Sequence, residues 1–354
     1  MIKKTGVLLI QLGTPDSPAT LDVARYLGEF LNDPRVIDLP WLLRRLLVNG
    51  IIVPFRSPKS AKIYRELFKL NGGKSPLLQH AESVQALLQR RFKEACEDIT
   101  IEMAMRYQSP SIEAVLERMR KAGYSRIILI PLFPQYASAS TGSAIEKALD
   151  IIRRWWVIPE LATVSQFYDE AAYLEAVVDR ASPFRLEDYD HILFSYHGLP
   201  ERQVDKVYGE GLCIDQPCES EVNQQNQSCY KATCYATTRL LVARLGLDAS
   251  RYTTCFQSRL SKKWIEPFSD HVIEDLAKKG ARKILVFSPA FVADCLETLI
   301  EISVEYQALF EAHGGERVEL VQSLNDHPRF IDCLETLIRQ RLPETQEHST
   351  LKRI

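Results

Sequence analysis

His197 stands at the end of an apolar run, in the stretch HILFSYHGLPERQ (191–203), where an ordinary chain would place a polar turn. A neutral imidazole there can accept a proton or a metal ion near pH 7. A second set of chemistry-bearing groups lies in FVADCLETLIEISVEY, where Asp294, Glu297, Glu301 and Glu305 recur at spacings of three, four and four. Helical geometry lines such positions along one face, and like charges at that spacing repel, so the row has reason to attract a cation or a proton. Glu297 leads the four and Glu305 comes last, because the first carboxylates emerge from a strand end flanked by Phe291, Leu296 and Leu299. The third set is Cys213, Cys218, Cys229 and Cys234, two C-x4-C pairs ten residues apart in the polar segment CIDQPCESEVNQQNQSCYKATC. That segment offers almost nothing apolar with which to bury thiols, and free surface thiols are liable to oxidation. The pattern therefore predicts metal, as zinc or as an iron and sulfur cluster.

Positioning these groups needs a frame, and the hydrophobic pattern supplies one. Short β-rich runs at 7–13, 99–107, 126–133, 191–196, 251–257 and 283–291 alternate with segments such as SPSIEAVLERMRKAGYS, whose apolar spacing predicts helices. Strand, helix, strand at these distances means βαβ units and parallel sheets. The two halves also match: LGTP against HGLP, YQSP against FQSR, and KAGYSRIILIPLFPQYASAST against KKGARKILVFSPAFVADCLET. The expected fold is α/β with two similar lobes, each a parallel sheet flanked by helices. The lobes are drawn at 1–183 and 184–354, the second carrying a cysteine-rich insertion at 210–235. Ligands of such folds bind at the carboxyl ends of the strands. That gathers Leu12 to Pro15, Tyr107 to Ser109, Phe133 to Ser143, His197 to Pro200, Gln257 to Arg259 and Ala290 to Glu297 around one cleft, with Gly198 turning the backbone sharply beside His197.

Composition excludes several classes. A net charge of -2, from 44 basic and 46 acidic residues, gives no electrostatic reason to expect nucleic acid. No run of eighteen apolar residues is present, and the first apolar run is too short for a signal peptide, so a cytoplasmic protein without disulfides is expected. The fingerprints G-x-G-x-x-G, P-loop and G-x-S-x-G are missing. In the stretch 39–64, Leu39, Trp41 to Leu43, Leu46 to Val48 and Ile51 to Phe55 form an apolar patch interrupted by Arg44, Arg45 and Arg56. It reads as a plain buried helix and loop, or as a lid with affinity for anionic lipid.

The ordered motifs LLIQLGTPDS, IYRELFKLNGGKSPL, MAMRYQSPSI, PLFPQYASASTGS, FSYHGLP, FQSR, FVADCLETL and QSLNDHPRF resemble the ferrochelatase family over nearly the whole chain. The resemblance implies an enzyme, a lyase that inserts ferrous iron into protoporphyrin IX to form haem b. The alternatives are a coproporphyrin III enzyme, a cobalt or nickel chelatase, and a non-catalytic porphyrin or haem carrier. It implies His197 and Glu297 as the catalytic pair and the ligands of the substrate iron, with Asp294 and Glu301 as a supporting acidic path. Leu12, Arg56 (or Lys59), Tyr136 and Ser143 would meet the porphyrin. It also tips the four cysteines toward a 2Fe-2S cluster, with zinc as the alternative. Many relatives carry histidine where this chain has Cys295. Porphyrin and ferrous iron are the expected partners, with transient contact at the inner membrane face; the oligomeric state does not follow from the sequence.

Overall fold

The computed structural model describes residues 4–343. Two four-stranded parallel sheets carry the chain. The first is built from β1 (Thr5–Gly13), β2 (Ile99–Tyr107), β3 (Arg126–Pro131) and β4 (Glu160–Thr163), in the order β2-β1-β3-β4. The second comprises β5 (His191–His197), β6 (Tyr252–Gln257), β7 (Lys283–Phe287) and β8 (Arg317–Leu320), in the order β6-β5-β7-β8. Each lobe thus repeats one strand order, which is the duplication read from the motifs. The central strands are apolar on both faces because helices cover both: Val7, Leu8, Leu9 and Ile10 of β1 and Ile192, Leu193 and Phe194 of β5 are fully buried. β4 and β8 escaped the sequence reading. They are four-residue edge strands, ELAT and RVEL, half polar and paired on one side only, so neither shows an apolar run.

The motif glycines show why LGTP and HGLP recur. A Cβ on Gly13, at φ 115°, would lie 2.0 Å from the carbonyl oxygen of Tyr107, and one on Gly198 would lie 2.9 Å from that of Gln257. Both are needed because the neighbouring strand's backbone approaches too closely for a side chain. Gly198 is not among the residues with positive φ, so this close approach, and not a left-handed backbone, is what requires glycine after His197.

One apolar core runs through both lobes, joining Val7 and Leu9 of β1 to Ile192 and Phe194 of β5. The helix Ala171–Ala181 packs against the helices Tyr230–Leu245 and Pro328–Arg339, and its Tyr173 hydroxyl donates to the carbonyl of Pro289 at 2.7 Å. It therefore leans on the second sheet although it precedes residue 183; the 183/184 division stands as a proposal.

The arginine-interrupted apolar patch forms the helix Trp41–Leu47, a wider π-helical stretch Val48–Ile52 and the long helix Val53–Leu70. Most of its apolar residues face outward: Trp41, Leu42, Leu43, Leu46 and Ile51 are exposed and Phe55 is 78% exposed, while Val48 is fully buried and anchors the segment. Arg44 is instead buried, its guanidinium donating to the carbonyl of Leu39 at 2.7 Å. The plain buried helix is thereby excluded. No helix among the described residues is long and apolar enough to cross a membrane.

Candidate active site and a separate cysteine centre

β5 ends on His197, whose backbone is paired with Gln257 of β6. The imidazole Nδ1 lies 2.6 Å from the carbonyl oxygen of Gly198. A carbonyl only accepts, so Nδ1 carries the hydrogen, and in the neutral ring the lone pair is then on Nε2. The rings of Trp264 and Phe291 lie 6.2 and 6.3 Å from the imidazole. A half-buried base between aromatic walls suits a flat apolar substrate.

Glu297 opens the π-helical stretch Glu297–Tyr306 and is half-buried. Stretches of this wider geometry concentrate at functional sites. The thiol of Cys295 is hydrogen-bonded to Glu297, and burial, reinforced by the Glu297 charge, pushes that thiol well above its ordinary pKa. That shift holds Cys295 as a thiol, which can donate to the Glu297 carboxylate. Tyr26 and Tyr64, hydrogen-bonded to each other, also sit in the field of Glu297, and burial raises both hydroxyls first and most. Neither tyrosine was singled out in sequence, since both look like ordinary core residues of their helices.

The other carboxylates of the row have separate fates. Asp294 is buried ahead of the helix, accepting from Ser323 N–H at 3.2 Å and from Asn325 Nδ2 at 2.8 Å. Glu301 accepts from Gln257 Nε2 (3.0 Å), Ser258 N–H (2.8 Å), Ser258 Oγ (2.5 Å) and the Tyr306 hydroxyl (3.1 Å). Both are spent on internal donors, which fits structural anchoring better than an acidic path. Glu305 is exposed, and partial burial followed by the nearby Glu301 charge raises its pKa. The single charged face expected from the spacing is thus divided, with Asp294 preceding the helix.

Gln257, placed at the cleft by the sequence but given no role, is the hub. Its carbonyl accepts the Gly198 N–H at 2.8 Å, its amide donates to the carbonyl of Glu297 at 2.9 Å, and its Oε1 accepts from Ser195 Oγ at 2.8 Å.

The porphyrin candidates scatter more widely. Leu12 packs half-buried beside Tyr107 and Tyr26, and Arg56 is exposed near enough to Tyr26 to act on it. Tyr136 is half-buried at a cavity of about 440 Å³ shared with Arg35, Glu146, Leu149 and Ile158, a lining that includes neither His197 nor Glu297. Ser143 is fully buried. Its hydroxyl donates to Asp33 at 2.5 Å and accepts from Arg106 at 2.7 Å, so it has no free surface for a propionate.

The cysteine set needs a correction. The sulfurs of Cys213, Cys218 and Cys229 lie 3.6–3.8 Å from one another, all buried. Cys234 is outside this group, buried in the helix Tyr230–Leu245 and hydrogen-bonded to Tyr230. Its helical turn directs it into the core, where its burial raises its pKa well above the ordinary value. A two-iron cluster needs four protein ligands, two on each iron, so three mutually adjacent sulfurs fit it poorly.

Two lobes of like strand order, with the site at strand ends, define a chelatase-like α/β protein. Solved structures agree on the fold: SirB from Bacillus subtilis with Fe3+ superimposes with a TM-score of 0.53 at 13% identity, covering 95% of each chain. The sirohydrochlorin chelatase SirB from Bacillus subtilis subspecies spizizenii in complex with cobalt gives 0.50 at 14%, covering 95% of this chain and 94% of that one. The family model described as Ferrochelatase matches residues 4–342. The ferrochelatase of Legionella pneumophila (strain Corby) is 42% identical over 340 residues, 96% of this chain and all of that protein. That of Coxiella burnetii (strain Dugway 5J108-111) is 39% identical over 344 residues, 96% of this chain and 94% of that protein. The chain belongs to the ferrochelatase family.

Proposed function

We propose that iron insertion by this chain is carried out by His197 and Glu297, and that its porphyrin is protoporphyrin IX. The reaction is that of the family: a ferrous ion enters a porphyrin, in haem biosynthesis, and two protons leave the pyrrole nitrogens. Departure of those protons requires a base beside the ring. The observation that carries the assignment is the His197 Nδ1 contact to the Gly198 carbonyl, which leaves Nε2 as the acceptor. Glu297 supplies a carboxylate for the entering cation, and the neutral Cys295 thiol steadies it. Asp294 and Glu301 support this pair by anchoring the segment that bears Glu297. The apolar walls at Trp264 and Phe291 favour a flat macrocycle and exclude water from the exchange.

The outward-facing residues of 41–55 support a peripheral encounter with anionic lipid at the inner membrane face of the cell, by which an apolar porphyrin reaches the cleft. Residues 210–235 are read as a resident metal site distinct from the catalytic pair; the two-iron cluster implied by resemblance would need Cys234, which lies apart from the Cys213, Cys218 and Cys229 group, and is not part of this reading.

Steady-state insertion of Fe2+ into protoporphyrin IX, coproporphyrin III and a partly reduced tetrapyrrole, by wild type, His197→Ala and Glu297→Gln, tests the assignment. Turnover should be highest with protoporphyrin IX and fall at least about 100-fold in each variant. Near-normal turnover in both variants refutes the catalytic pair.

A further inference from the structure

We propose that Cys213, Cys218 and Cys229 hold a single tetrahedral metal ion, of the zinc type, with the Tyr208 hydroxyl at the fourth vertex and Cys234 excluded. This inference is independent of the chemistry at His197.

The spacing of the sulfurs carries it. Zinc binds thiolates at about 2.3 Å in tetrahedral array, which sets the distance between any two sulfurs at about 3.8 Å. The three observed separations are 3.6, 3.7 and 3.8 Å, an equilateral face of such a tetrahedron. In a two-iron cluster at least one of any three ligating sulfurs belongs to the second iron and lies off this face.

The fourth donor follows from the surroundings. Tyr208 Oη is 3.1 Å from Cys218 Sγ and is also hydrogen-bonded to Cys229, so a polar oxygen already sits against that face. Asn226, fully buried, approaches Cys218 Sγ through Nδ2 at 3.8 Å while donating to the carbonyl of Glu221 at 3.0 Å. An oriented outer donor of this kind is what a metal thiolate uses. The Cys213 N–H donates to Asp205 Oδ1 at 2.8 Å, which ties the centre to the chain just beyond His197.

The segment's apolar residues point the same way. Leu212 is 50% exposed and Ile214 84% exposed, while Cys213 between them is turned inward. A loop that folds by hydrophobic burial does the reverse. Here the thiols organise the loop, as expected when metal binding supplies the folding free energy.

The test uses the full chain, purified anaerobically under reducing conditions, with metal and sulfide analysis, a chromophoric chelator for affinity, and Co2+ substitution for the ligand field. One zinc per chain, no sulfide and a tetrahedral Co2+ spectrum with thiolate charge-transfer bands are expected. Each of Cys213→Ser, Cys218→Ser and Cys229→Ser should weaken the metal by more than about 100-fold, and Cys234→Ser should retain one ion per chain. Tyr208→Phe should weaken it by about 10–100-fold and shift the Co2+ bands. Should the serine variants fail to fold, the wild-type stoichiometry and Co2+ spectrum still decide. Two irons with two sulfides, loss of metal in Cys234→Ser, or a metal-free chain overturns the proposal. One iron without sulfide overturns zinc. Unchanged affinity and spectrum in Tyr208→Phe overturn the fourth ligand.

Discussion

The side-chain amide of Gln257 donates to the main-chain carbonyl of Glu297 across 2.9 Å. The same residue's carbonyl accepts the N–H of Gly198, directly after His197, at 2.8 Å. One residue on β6 therefore sets the strand end that bears the base and the helix start that bears the carboxylate. The first lobe has a parallel arrangement, in which Arg106 and Tyr107 at the end of β2 contact Ser143, on the helix after β3, as Gln257 and Ser258 contact Glu301 after β7.

Removing this link should impair turnover more than binding. Gln257→Met, close in size and unable to donate, is expected to lower kcat by about 10–100-fold, with KM for porphyrin within about two-fold of wild type, because misplacement of reacting groups acts on the chemical step. Thermal unfolding should register a loss of about 1–3 kcal/mol for the unpaired groups left behind. Combined with Glu301→Gln, the effect on kcat should be less than additive, since both changes loosen one network. Equal effects on kcat and KM would contradict a positioning role.

Ser143 should behave as a structural residue. Its hydroxyl joins Asp33 to Arg106, and the Arg106 guanidinium also pairs with Asp33 at 2.6 Å. Ser143→Ala is expected to destabilise the chain by about 1–3 kcal/mol in denaturant titrations and to leave KM for porphyrin unchanged. A raised KM at unchanged stability would instead restore the propionate role read from resemblance.

Acid stability should depend on Asp38. Burial alone would raise its carboxyl, but hydrogen bonds from Lys206 and Arg202 outweigh it and hold the pKa down to about 2. A folded-state pKa below the ordinary 3.8 stabilises the fold above that value, and the contribution disappears as pH falls through about 2. Melting temperatures measured between pH 5 and pH 2 should drop less steeply for Asp38→Asn than for wild type. The variant should be the less stable of the two at pH 6.

The exposed patch gives a separate expectation. Trp41→Ser combined with Phe55→Ser should abolish flotation with anionic liposomes and leave the melting temperature within about 2 °C of wild type, since both side chains are already in solvent. Absence of wild-type binding to anionic and neutral liposomes alike would leave the patch a lid alone.

Much of this protein was legible in its sequence because apolar periodicity and strand-end motifs are local properties. The parallel strands around β1 and β5, the duplication, and the place of His197 at a strand terminus follow from such patterns, as does the gathering of cysteines in a polar segment. Weak local signals hid β4 and β8, whose single paired edge demands no apolar run. Other features depended on distant partners. Spacing aligned Asp294, Glu297 and Glu301, yet Asn325, Gln257 and Ser258 determined which carboxylates were already occupied. Spacing likewise equated Cys234 with its three companions, while the start of the helix at Tyr230 turned it into the core. A sequence specifies which groups a segment carries and which face they share. Whether a polar group remains available for chemistry depends on which donors the fold brings against it, because a buried polar group takes the partners within hydrogen-bond reach.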